Sequence, residues 1–275
     1  VAPVELSILL QNEKLASMLE VIEIADNEIA LYHVNGIFKE VLTTGRYAFW
    51  KGYLNNTFTK VDLSKVEITE DIPVVLLENV KVSQYIRKHQ VLNFEKGLLF
   101  VNGAFVKELA AGNYYFWKNA ISVEVKNVDI RQQQMEISGQ ELLTKDKAAL
   151  RINFFVRYQV VDTIKALVNN KDYDKQLYVL MQLALRALVG SYTLDELLSK
   201  KDSISKEILE NMYEKINALG LNVVDTGIRD VILPGEMKEI MNQVLVAEKK
   251  AQANSIMRHE ETAAVRSMLN TAKLM

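Results

Sequence analysis

The feature that most constrains this chain is an internal repeat. Asn27-Glu28-Ile29-Ala30-Leu31-Tyr32-His33-Val34-Asn35-Gly36-Ile37-Phe38 is answered by Phe94-Glu95-Lys96-Gly97-Leu98-Leu99-Phe100-Val101-Asn102-Gly103-Ala104-Phe105. Each copy continues into a similar turn and aromatic run, Gly45 to Lys51 and Gly112 to Lys118. The offset stays at 67 residues from Asn35/Asn102 to Asp62/Asp129. A match this long at one offset marks a duplication. Both tryptophans, Trp50 and Trp117, stand at equivalent positions.

Val-Asn-Gly between apolar runs is a hairpin signal, because Asn and Gly tolerate positive φ. Gly-x-Tyr-x-Phe-Trp-Lys alternates its large residues as a half-buried strand does. The two tryptophans therefore read as core packing in a small β unit, ahead of an aromatic binding platform. Pro3-Val4 and Pro73-Val74 each open a segment that reads as a helix, Glu5–Leu19 and Val75–Lys88. The chain starts at Val1 and ends at Met275 inside a helical pattern, so we expect a fragment of a longer protein. An earlier hairpin unit or an anchor is expected upstream.

The second half changes character. Leu150 to Val160 alternates almost strictly, with apolar residues at even positions, and predicts a strand with one buried face. Asp172–Val189 reads as an amphipathic helix, and Thr193-Leu194-Asp195-Glu196 as a capping box opening another. A third helix carries Ile204, Ile208, Met212, Ile216 and Leu219 on one stripe and stops at Gly220. Leu221–Leu233 is strand-like, and Pro234-Gly235 ends it.

From Glu236 to Met275 there is neither Gly nor Pro. A helix of about 40 residues would be about 60 Å long and needs neighbours along its length. Its apolar stripe thins between Glu248 and Thr262, where Glu248, Lys249, Lys250, Arg258, Glu260 and Glu261 dominate, and returns after Ala263. Small alanines with mixed charges suit packing against parallel copies of the same helix. The candidate oligomer interface is Val244, Ala247, Glu248, Lys249, Ala251, Arg258, Glu261, Val265 and Met268. A solvated helix, charge-paired with itself, is the competing reading.

Composition narrows the chemistry. The 275 residues include no Cys and three scattered His, with 33 Lys+Arg against 35 Asp+Glu. That excludes disulfides, thiolate catalysis and cysteine metal sites, and argues against a nucleic-acid binder. No apolar run approaches the roughly 20 residues of a membrane-spanning helix. His259-Glu260-Glu261-Thr262-Ala263 begins like a zinc-protease helix but has Ala263 in place of the second histidine. Gly190-Ser191 is not a nucleophile elbow, since Leu188 and Thr193 stand where its glycines belong. Asp225, Asp230 and Glu236 are scattered by the strand pattern. No catalytic residue, metal ligand or cofactor site is expected, and the chain does not read as an enzyme.

Several short stretches carry a resemblance: Asp129-Ile130-Arg131, Gln140 to Asp146 and the Arg157-Tyr158 strand; Leu185-Arg186 with Val189-Gly190; and Thr193 to Leu198. Gly220-Leu221, Ile228-Arg229-Asp230-Val231 and Leu233-Pro234 follow in order. Together they resemble the stomatin/prohibitin/flotillin (SPFH, or band 7) family, most like stomatin-like slipins, over roughly residues 93 to 275. A typical stomatin has a membrane hairpin where this chain has repeat 1. The resemblance implies an α+β fold: a small α+β domain followed by a long helix. It also implies a non-catalytic homo-oligomeric ring or cage that organises a membrane microdomain or encloses clients. A soluble regulatory adaptor for a protease is the alternative. The implied partners are further copies of the chain, with membrane lipid or a membrane protease, and the implied location is cytoplasmic, at the cytoplasmic face of the membrane. The expected segments are 1–70 and 71–138 for the two hairpin repeats with their leading helices, 139–233 for the α+β domain and 234–275 for the oligomerisation helix.

Overall fold

The computed structural model describes residues 6–272. The fold is α+β and divides into two compact units at Arg131/Gln132.

Unit 1 opens with two helical turns, α1 (Leu6–Leu9) and α2 (Glu13–Met18). Strands β1 (Leu19–Ile24), β2 (Glu28–Val34), β3 (Ile37–Leu42), β4 (Gly45–Trp50) and β5 (Asn56–Asp62) follow. Two more turns, α3 (Val74–Leu77) and α4 (Val80–Ser83), lead to β6 (Ile86–Val91), β7 (Glu95–Val101), β8 (Ala104–Leu109), β9 (Gly112–Trp117) and β10 (Val123–Asp129). Every strand of the second set lies 67 residues beyond its counterpart. The pairing matches too: β1–β4 and β3–β2–β5 in one set, β6–β9 and β8–β7–β10 in the other, all antiparallel.

Local chemistry explains the match. Asn35 and Gly36 lie at φ 51° and 78°, and Asn102 and Gly103 at 49° and 78°. These left-handed pairs turn the β2–β3 and β7–β8 hairpins. Each asparagine also ties its turn to the last strand's approach. Asn35 Oδ1 accepts from the Asn55 N–H at 3.1 Å, and Asn102 Oδ1 from the Ser122 N–H at 3.2 Å.

Neither expected leading helix runs its full length. Asn12 and Asn79, again 67 apart, accept backbone N–H bonds on their side chains and restart the chain as α2 and α4. Ser, Asp and Asn offer the backbone this local alternative to a continuous helix. The second helix, expected to reach Lys88, gives way at Ile86, which begins β6 and pairs with β9. Pro73 does cap α3, whereas Pro3, Val4 and Glu5 lie outside the described residues.

Each five-stranded set is a two-layer sandwich. Ile22 and Ile24 of the β1–β4 pair meet Ala30, Tyr32 and Leu42 of the three-stranded sheet, with Tyr47, Phe49 and Phe58 alongside. Val91, Leu99, Leu109 and Phe116 form the corresponding core of the second set. The two sets share a further core in which Trp117 packs with Ile29, Leu31, Val61 and Val82. Leu63, Ile68 and Ile72, from the connection between the sets, pack there as well. The expectation for the tryptophans thus needs correcting for one of them. Trp117 is fully buried, but Trp50 is 58% exposed. Alternation along a strand sends Phe116 into its own core and Trp117 out of the opposite face. Phe49 and Trp50 divide in the same way, but repeat 1's sheet covers Trp117 and nothing among the described residues covers Trp50 in this way.

Unit 2 holds an antiparallel sheet of β11 (Gln133–Leu143), β12 (Ala149–Val160) and β13 (Leu221–Ile232), in the order β11–β12–β13. An expected boundary at 138/139 would cut β11; the strand belongs whole to this sheet. Leu150, Ile152, Phe154, Val156, Tyr158 and Val160 are all buried, so the even-numbered face of β12 is the core face. Helices α5 (Tyr173–Ser191), α6 (Leu194–Ser199) and α7 (Lys201–Ala218) connect β12 to β13. Asp172 caps α5 by accepting from the Lys175 N–H, and Thr193 and Glu196 form the capping box that starts α6. Leu177, Met181, Leu185, Ile204, Ile208 and Ile216 are buried in this unit. Gly220 turns the chain from α7 into β13 at φ 76°. A Cβ there would lie 2.3 Å from the Asp162 carbonyl oxygen. Helix α8 (Gly235–Ala272) follows β13.

Candidate functional site

Helix α8 runs for 38 residues without a Gly or Pro after its first position. At about 1.5 Å per residue it is about 57 Å long. Among its described side chains none is buried. Met237 and Met241, near its start, are partly covered, and the rest are exposed. Its large apolar residues, Ile240, Val244, Val265 and Met268 among them, are uncovered.

Their spacing is regular. Ile240, Val244, Ala247 and Ala251, then Asn254, Arg258 and Glu261, then Val265, Met268 and Ala272 recur at alternating steps of four and three. This is a heptad seam, apolar at both ends and polar in the middle, with the repeat that lets one helix pack along another. Seven of the nine expected interface residues fall on it: Val244, Ala247, Ala251, Arg258, Glu261, Val265 and Met268. Glu248 flanks the seam, with Lys250 flanking its other side. Lys249 falls outside the four–three count and donates to Gln252 at 3.3 Å. Ile240, Asn254 and Ala272 belong to the seam and were missed. The four–three count would have found them.

Charged residues crowd the middle of the helix, on and beside the seam. Among the described residues, none of Glu248, Lys249, Lys250, Arg258, Glu260 and Glu261 forms an ion pair within the chain. Asn254, Arg258 and Glu261 interrupt the apolar stripe at its middle, and polar residues on such a seam fix register between packed helices.

The carboxylates weighed for acid–base work do not gather. Asp225 pairs with Arg157 at 3.8 Å and Asp230 with Arg229 at 3.8 Å. His259 lies exposed on α8. Among the described residues no three His, Cys, Asp or Glu side chains are placed to share a metal ion.

The loop between β11 and β12 is tied to the start of α6. Asp146 accepts from the Thr144 hydroxyl, and its Oδ1 accepts from the Leu194 N–H at 3.2 Å. The Thr144 bond, with help from Leu194, holds the Asp146 carboxyl below its ordinary range. In the sheet above, the Tyr158 hydroxyl donates to Asp174 at 2.6 Å, and burial together with that carboxylate pushes the phenol upward. These contacts hold the scaffold from which α8 departs.

Among the described residues no helix is long and apolar enough to cross a membrane. A family signature described as "SPFH domain / Band 7 family" matches residues 89–263, from β6 into α8. A stomatin homologue of Pyrococcus horikoshii is 30% identical over 184 residues, covering 67% of this chain and 68% of its own length. An uncharacterised protein of Archaeoglobus fulgidus is 31% identical over 185 residues, covering 67% of this chain and 74% of its own. Stomatin-1 of Caenorhabditis elegans is 25% identical over 214 residues, covering 78% and 62%. The chain belongs to the SPFH/band 7 family together with the stomatins, and that membership supports a membrane-associated, scaffold-type role.

Proposed function

We propose that this protein is a non-catalytic scaffold that assembles into a closed homo-oligomer, a ring or cage, through parallel packing of α8 along its heptad seam. The observation that carries this reading is a 38-residue helix with no buried described side chain and a seam that continues to Ala272. Helices gain most of their stability in proteins from packing an apolar face. Here the face exists and the unit leaves it bare. Small residues at Ala247 and Ala251 allow close approach of backbones, and Asn254, Arg258 and Glu261 fix the register. Closure of the ring would leave no seam unsatisfied. Family membership favours assembly at the cytoplasmic face of a membrane, where such a wall would gather lipid or enclose a membrane protease. Membership of this family supports a scaffold-type role, and the proposed assembly needs no chemistry of its own.

Truncation after Val246 tests the proposal. Static light scattering should show the parent as a large oligomer and the truncated chain as monomers or small oligomers. A truncated protein with as many subunits as the parent would overturn it.

A further inference from the structure

One end of the first sandwich gathers exposed apolar side chains. Met18 ends α2, Ile37 follows the β2–β3 turn, Trp50 ends β4, and Tyr53 and Leu54 lie in the loop to β5. All of them are uncovered, Ile37 at 65% exposure and Tyr53 at 91%. Hydrogen bonds hold these segments together. The Lys51 N–H donates to the Met18 carbonyl at 2.9 Å, and the Asn35 N–H to the Asn55 carbonyl at 2.9 Å. The side-chain amide of Asn56 donates to the Trp50 carbonyl at 3.4 Å. Trp50, Tyr53 and Leu54 also line an open groove of about 510 Å³ that reaches Tyr32 and Phe49 at the sandwich core.

The second module offers a comparison within the same chain. The residues 67 positions on are Tyr85, Ala104, Trp117, Ala120 and Ile121. The alanines are small, Tyr85 and Ile121 are half-buried, and Trp117 is buried. The loop there is drawn onto the chain, because the Asn119 side chain donates to the carbonyls of Leu63 and Lys65 at 2.8 and 2.9 Å. Hairpin and loop thus form without large apolar residues in water, so the fold does not itself require Ile37, Tyr53 and Leu54 at the first tip. A single exposed apolar residue is ordinary, but a cluster of this kind marks an interaction surface.

We propose that this end of the first sandwich is a lipid-binding tip, which seats Ile37, Trp50, Tyr53 and Leu54 in the interfacial layer of a phospholipid bilayer. Composition and charge select lipid as the occupant. Trp and Tyr join an apolar ring to a polar edge and favour the boundary between acyl chains and headgroups. Lys51 is the only charged residue in the stretches 34–38 and 50–59, and a lysine beside such rings suits anionic headgroups. The carboxylates of these strands, Glu20 and Glu40, follow further along β1 and β3, level with Phe49 and Tyr32. The groove beside Tyr53 and Leu54 gives an acyl chain an apolar wall. The proposal rests on the membrane-associated role and not on the assembly of α8.

The test adds vesicles of phosphatidylcholine and phosphatidylglycerol to the 275-residue chain. The parent should float with the vesicles, and its tryptophan emission should move to shorter wavelength. Phosphatidylcholine brominated along its acyl chains should quench that emission. Both fluorescence changes should vanish in Trp50→Phe, where only the buried Trp117 still emits. The double variant Tyr53→Ser with Leu54→Ser alters exposed side chains alone and should weaken flotation about tenfold or more. Its circular dichroism and its mass by light scattering should match the parent's. A parent that does not float, brominated lipid that spares Trp50, or a double variant that binds like the parent would each overturn the proposal. So would a Trp50 that is shielded without lipid and becomes exposed on dilution, since a second copy would then occupy the tip. A parent that is monomeric yet binds vesicles through Trp50 would sink the ring and leave the tip standing.

Discussion

Asp146 accepts a hydrogen bond from the Leu194 N–H at 3.2 Å, so the loop after β11 serves as an extra cap on α6. The same carboxylate takes the hydroxyl of Thr144, which is buried, and Leu194 is itself a core residue. One side chain thereby joins the edge of the sheet to the helical layer, 48 residues away.

A pH dependence follows. The Asp146 carboxyl is held low by Thr144, then by its own backbone N–H and that of Leu194, and the carboxyl of Glu196 by its bonds with Thr193. A group whose folded pKa lies below its unfolded value stabilises the fold above the unfolded pKa, and that contribution disappears as pH falls through the folded one. Asp146→Ala should lower the urea midpoint at pH 7, and its deficit should shrink as pH falls below about 4, where the carboxylate of the unfolded parent protonates first. Urea titrations at pH 7 and pH 3 check this; a deficit that stays constant would rule out the carboxylate as its source.

The two tryptophans should respond unequally to truncation. Trp117→Ala removes a fully buried indole from the core shared by the two sandwiches and should cost about 3–5 kcal/mol. Trp50→Ala in the 275-residue chain should stay within about 0.5 kcal/mol, as exposed substitutions do. Chemical denaturation followed by circular dichroism measures both without depending on the lost fluorophore.

Two left-handed glycines should likewise part company. Gly36→Ala meets nothing within 4 Å and carries only the backbone penalty, about 1–2 kcal/mol. Gly220→Ala carries that penalty and also drives its methyl to 2.3 Å from the Asp162 carbonyl oxygen. That stretch of backbone is fixed, since the Gly220 carbonyl accepts from the N–H groups of Val161 and Asp162 at 3.0 Å each. Thermal melts should show the larger loss for Gly220→Ala; equal losses would mean that the β12 end gives way freely.

What was legible in the sequence depended on whether its cause was local. Asn35-Gly36 and Asn102-Gly103 are turn chemistry, and the alternation from Leu150 to Val160 is a one-strand property. Both survive in the structure intact. The second leading helix failed because Ile86–Val91 becomes a strand only through β9, more than twenty residues on. Local apolar spacing carries no record of that pairing. The different fates of Trp50 and Trp117 depend on which sheet lies outside each strand, a tertiary fact invisible at two matching positions. On α8 the residues were legible but their order was only partly read. Lys249 stands out by its charge, although the heptad places it away from the seam, and Asn254 lies on the seam without a charge to draw notice.

The seam makes one demanding prediction about assembly. Arg258 and Glu261 occupy consecutive seam positions, three residues apart, between Asn254 and the returning Val265. In packed parallel helices each would face the neighbouring chain, and their opposite charges would favour one register over its alternatives. Arg258→Glu leaves two acidic side chains in succession on that seam, and Glu261→Arg leaves two basic ones. Like charges brought together in a partly desolvated interface repel, so each single variant should lower the assembled mass or shift the distribution towards small species. The exchange Arg258→Glu with Glu261→Arg restores opposite signs within the seam and should recover much of the parent mass. Sedimentation velocity of the three variants and the parent at one concentration decides the matter. If all three assemble like the parent, these two residues do not lie between subunits. If the double variant is as impaired as the singles, their complementarity does not set the register.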